Sequence, residues 1–126
     1  MKNEDFVKKL SKAQDYMAAE EYKKALSVLY HLRDIEQKGN FDYSLTHKLY
    51  QLISNSESLY NQKAVISIIE DLKKEQDKVS LDTLKEIIGE RDDIDLNEGI
   101  LGREIEILIL RGVLPAKIQG NELVFL

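Results

Sequence analysis

Four oxygen-bearing side chains, Asp93, Asp95, Asn97 and Glu104, stand where an EF-hand calcium loop places its first, second, third and final side-chain ligands. In that arrangement the Glu104 carboxylate would grip the ion with both oxygens, and Ile100 falls at the loop's apolar position. The sharp bend of such a loop needs a glycine directly after Asn97. Glu98 stands there and Gly99 comes one residue late, and a Cβ resists that backbone conformation. Helix capping by Asp95 and ordinary solvation account for the same acids, so these four are only a weak calcium candidate and no metal or other cofactor is expected. His31 and His47 fall on separate helices with no acidic residue at a spacing that builds a site, and read as helix-surface or interhelical residues. The chain has no glycine-rich phosphate loop and no nucleophile elbow around a serine. It is not expected to be an enzyme.

The residues with most to say lie in the last third, Val79 to Leu126. Ser80 is a natural N-cap for a helix that aligns Leu81, Leu84, Ile87 and Ile88 and stops at Gly89. An acidic connection follows, in which Asp95-Leu96-Asn97-Glu98 has capping-box spacing. A longer apolar helix, Ile100 to Arg111, turns Ile105, Leu108 and Ile109 to the core and ends at Gly112. Leu114, Ala116 and Ile118 then alternate on one strand, and Leu123 and Phe125 on its partner, with Gln119-Gly120-Asn121 as the turn. Helix, helix and terminal hairpin in this order predict a winged helix.

Upstream, sparse proline and glycine argue for helix throughout. A first helix from about Glu4 to Met17, capped by Asn3, carries Phe6, Leu10, Ala13 and Met17. A second, after a turn near Ala19–Glu21, carries Tyr22, Ala25, Leu29 and Leu32 and ends at Lys38-Gly39. A third, Asp42 to Asn55, buries Leu45, Leu49, Leu52 and Ile53. A loop at Asn55-Ser56-Glu57-Ser58 separates it from a fourth, Leu59 to Gln76, with Val65, Ile66, Ile69 and Leu72. The charged run Lys73 to Lys78 reads as a turn or hinge. The division is therefore residues 1–77, helical hairpins, and residues 78–126, the winged helix, sharing one core in one continuous module.

The 126 residues carry 18 basic and 23 acidic side chains, a net charge of −5. Residues 78–126 hold 6 of those bases and 10 of the acids, so the part shaped for nucleic acid is the more acidic one. Cysteine is absent, which excludes disulfides and thiolate metal sites and fits a cytoplasmic protein. The opening MKNEDFVKKL is polar and helical, so no secretion signal is expected, and no apolar run is long enough to span a bilayer.

Ala13, Tyr16, Tyr22, Ala25 and Leu29 resemble the tetratricopeptide pattern, although Lys9, Lys12 and Gln37 stand where that pattern has tryptophan, leucine and proline. The last third resembles the winged-helix half of a PCI domain, on several short segments: Ser80-Leu81-Asp82-Thr83-Leu84, Ile87-Ile88-Gly89, Glu104-Ile105-Glu106, Leu108-Ile109, Arg111-Gly112-Val113-Leu114, Ala116-Lys117-Ile118 and Leu123-Val124-Phe125. The connection after Gly89 is longer, and the wing turn shorter, than that family's. The resemblance implies a mainly α fold, two tetratricopeptide-like hairpins packed on a C-terminal winged helix with a small hairpin wing. It also implies a scaffold without catalytic residues, assembling through its winged-helix face.

The residues themselves point the same way. The long helix is apolar on more than one side, through Leu101, Ile107 and Leu110, and the chain ends on Leu123-Val124-Phe125-Leu126 in a hairpin with an open edge. Leu101, Ile107, Leu110, Arg111, Lys117, Val124 and Leu126 form the expected surface for protein partners or a second copy of the chain. A nucleic-acid-binding or transcription-associated winged helix is the alternative. Leu101–Arg111 disfavours it, offering Arg103 and Arg111 but also Glu104 and Glu106.

Overall fold

The periodic apolar positions fold into five α-helices and three short β-strands in the computed structural model, which describes all of residues 1–126. No helix is long and apolar enough to cross a membrane. Two compact units divide the chain, Met1–Tyr60 and Asn61–Leu126. Buried apolar side chains gather in two clusters, one in each unit.

In the first unit α1 (Asn3–Ala18) and α2 (Tyr22–Lys38) form a hairpin. Phe6, Leu10 and Ala13 from one helix and Leu29 and Leu32 from the other belong to one buried cluster, and the fully buried Ala13 and Ala25 leave the backbones room to approach. Asn3 is not the N-cap. Lys2 holds that position without a side-chain bond, and the Asn3 amide instead donates to Asp42 Oδ2 at 3.4 Å. After α2, Gly39 is extended and is required for space: a Cβ there would lie 2.7 Å from the ring of Phe41, which packs on Phe6 with ring centroids 4.7 Å apart.

The sequence predicts two helices between residues 42 and 76; the chain runs as one, α3 (Tyr43–Leu72). The second predicted hairpin is therefore absent. What breaks at Asn55–Ser58 is the apolar stripe, not the helix. Leu49, Leu52, Ile53 and Ser56 are buried, but continuing that stripe in steps of three and four reaches Lys63 and Ser67, both exposed. Burial resumes instead on Gln62, Val65, Ile68 and Ile69. With neither glycine nor proline in the segment, nothing in the backbone chemistry stops the helix.

The second unit adds β1 (Lys78–Ser80), α4 (Leu81–Asp92), α5 (Glu98–Leu110), β2 (Ala116–Gln119) and β3 (Glu122–Phe125). The strands form an antiparallel sheet in the order β1-β3-β2, with Val79 opposite Leu123 and Ile118 opposite Leu123. The β2–β3 turn has Gly120 at φ 60° and no positive φ at Asn121, the signature of a II′ turn with glycine first. The predicted turn stands at Lys73–Glu75 and β1 follows it, so the last strand lies in the middle of the sheet, paired on both sides. The open edges belong to β1 and β2, not to β3.

Candidate interaction surface

Helix α5 is held at both ends by groups the sequence supplies. Asn97, rather than the expected Asp95, is the N-cap: its Oδ1 accepts from the Ile100 amide at 2.8 Å. At the other end Gly112 adopts φ 73°. The Val113 N–H bonds the Leu108 carbonyl and the Gly112 N–H the Ile109 carbonyl, each at 3.0 Å, a complete Schellman closure. Between these ends Leu101, Glu104, Ile105 and Leu108 are buried, at the three- and four-residue steps of one helix face. Leu101 is 0% exposed, so it belongs to the core and not to the surface assigned to it from sequence. Its distance of four residues from Ile105 is the signal that identifies it.

Glu104 is the polar member of that buried face. It is 2% exposed and accepts from Gln62 Nε2 at 2.8 Å, with Arg103 3.7 Å from its other oxygen. The calcium candidate does not assemble around it. Asp93 is the left-handed C-cap of α4, which runs three residues past Gly89; Asp95 is exposed and Asn97 is occupied in capping. No group of three or more His, Asp or Glu side chains converges as a metal cluster would. His47 stacks beside Tyr43 with centroids 6.1 Å apart, and His31 is exposed on α2.

The loop between α5 and β2 leaves a groove of about 290 Å³ between them, lined by Glu106, Ile109 and Leu110 on the helix and Ala116, Lys117 and Ile118 on the strand. Two of the residues singled out from sequence, Leu110 and Lys117, stand in its walls; Glu106, Ile109, Ala116 and Ile118 had no such role. Leu110 is 85% exposed, and Val113 and Leu126 nearby in sequence or sheet are also exposed. Leu126 is tied to the start of β2 by its N–H, which donates to the Pro115 carbonyl at 3.0 Å. Ile107 and Val124 are half-buried, and Arg111 is exposed at the C-cap of α5.

Electrostatically the surface is mixed. Lys78 pairs with Glu122 at 3.6 Å, and Arg91 with Asp71 at 3.0 Å. At the helix starts, a hydrogen bond to the Asp82 carboxylate and repulsion from it raise the Glu98 pKa from its ordinary value, with Lys85 opposing the rise. No family model, curated protein or solved structure matches the chain.

Proposed function

We propose that this chain is a non-enzymatic protein-interaction module that serves as a scaffold within a larger cytoplasmic assembly, of the PCI-like kind, and that its contact surface is the α5–β2 groove. The observation that carries the reading is the groove itself: an apolar cleft with Leu110 standing 85% exposed on its wall. Leaving such a leucine in water forfeits roughly 1.5–3 kcal/mol relative to burial, and a partner recovers it. The order α3, β1, α4, α5, β2, β3, with β1 pairing to the hairpin, supports the winged-helix reading of the second unit. The absence of cysteine supports the cytoplasmic part of the proposal.

The test is affinity capture from cells of the source, comparing the tagged wild-type chain with Leu110→Glu. Partners retained by the wild type are expected to be lost from the variant, while its circular dichroism and melting temperature stay unchanged. An identical partner set for both proteins would remove the groove from consideration. Capture of nothing, with no self-association either, would remove the scaffold reading.

A further inference from the structure

We infer that the occupant of the α5–β2 groove is the same groove of a second copy of this chain, the two related by a two-fold axis. This rests on the protein-interaction reading above and adds to it the identity of one partner. The argument comes from the charges that flank the cleft. Glu106 lines the helix side of the cleft and Lys117 the strand side, and Ile109, Leu110, Ala116 and Ile118 complete its walls. Neither forms an ion pair within its own chain, whereas Lys78, Asp71, Arg91 and Glu122 of the same unit do.

An apolar strip with an acid on one side and a base on the other is complementary to itself. A two-fold axis requires that if residue i touches j, then j touches i. Placing Glu106 of one copy against Lys117 of the other therefore makes the same ion pair twice, and directs each Leu110 into the partner's cleft. A uniformly charged ligand would gain at one wall and lose at the other, which disfavours both a polyanion and a strongly basic peptide. Interface anatomy agrees, with apolar residues central and opposite charges at the rim. The free edge of β2 borders the same cleft, so its unpaired backbone groups also fall in the contact. A standard interface takes about 800 Å² from each partner, roughly a tenth of a small protein's surface. Against this chain's 7870 Å² that is an ordinary demand, and the apolar walls of the groove supply part of it.

Sedimentation equilibrium of the purified full chain tests this, over concentrations from about 5 to about 500 µM. The wild type is expected to show a concentration-dependent monomer–dimer equilibrium. Leu110→Glu is expected to be monomeric throughout with an unchanged melting temperature, because that side chain is outside the core. Glu106→Lys and Lys117→Glu should each weaken the dimer by about tenfold or more, and the double exchange should restore it to within about threefold of wild type. Restoration is the decisive result, since general surface damage cannot be rescued by a second charge reversal. A monomeric wild type overturns the inference, as does a dimer that survives Leu110→Glu or a double exchange that fails to recover. A monomeric wild type that still loses a captured partner on Leu110→Glu overturns the two-fold pair alone and leaves the interaction module standing.

Discussion

Glu98 and Asp82 are two acids placed at the starts of two helices, where each macrodipole favours negative charge but the two carboxylates disfavour one another. Because Glu98 hydrogen-bonds the Asp82 carboxylate, its pKa is raised in the folded chain relative to the unfolded one. A raised carboxyl pKa means that the folded state binds the proton more tightly. The stabilisation is therefore fully present below the unfolded pKa and disappears as pH rises through the folded one. At neutral pH the pair is repulsive. Glu98→Gln keeps a hydrogen-bond donor for Asp82 and deletes that repulsion, so at about pH 7 the variant should melt above wild type. The gap should close on acidification through the carboxylate range, as the wild-type side chain regains its proton. Thermal melts at several pH values decide the matter, and a gap independent of pH would show that the pair is not coupled in this way. At this scale the sequence conceals more than it reveals. Glu104 and Glu98 are both acids near or on one helix, yet one is 2% exposed and bonded to Gln62, 42 residues away, while the other is open to water. No local spacing announces a partner that distant.

Helix α5 carries two internal tests of opposite sign. Gly102 lies within the helix and nothing stands within 4 Å of where its Cβ would be. Gly102→Ala should therefore raise stability by about 0.5–1 kcal/mol, through helix propensity alone. Gly112 has equally open surroundings but φ 73°, so Gly112→Ala meets no clash and still strains the backbone of the Schellman closure. It should lower stability by about 1–2 kcal/mol. Urea denaturation of both variants checks the pair, and a shared sign would mean that the closure is not as described. The two glycines also mark what was legible at the element scale. Gly112, the Ser80 cap, the Gly120 turn and the alternation through Leu114, Ala116 and Ile118 could all be read, because each is a local chemical requirement. The continuity of α3 could not, because its buried face is reassigned part-way along, and periodicity registers that as an end. β1 escaped as well. Three residues, Lys78–Ser80, are too few to display a period of two, and their strand character comes only from pairing with residues more than forty positions later. The groove was half legible for the same reason: Leu110 and Lys117 stood out individually, but only the packing of β2 beside α5 brings both to one groove.

At the scale of the whole molecule, charge separates the interaction-module proposal from its nucleic-acid-binding alternative. Winged helices that read DNA place a helix in the major groove and neutralise several phosphates, and each neutralised phosphate makes binding more sensitive to salt. This chain carries −5 overall, and residues 78–126 contribute 6 bases against 10 acids. The cations it does present are in part already committed. Arg91 is held by Asp71, Lys78 by Glu122, and Arg103 lies 3.7 Å from Glu104. On α5 Glu98 and Glu106 are exposed, so a duplex approaching that helix meets repulsion. A self-paired groove has a different salt signature. Its gain comes from covering Leu110, Ile109 and Ile118, which salt does not weaken, and only two ion pairs at the rim are screened. Raising the salt from about 50 mM to about 500 mM should therefore weaken the dimer by less than about tenfold, while duplex DNA at the lower salt should show no retarded band below about 10 µM protein. Mobility shift and sedimentation under matched buffers measure the two together. A duplex complex that forms at low salt and collapses steeply as salt rises would favour the alternative, a nucleic-acid-binding winged helix, because a surface able to bind phosphate in that way must carry cations that the groove reading does not use.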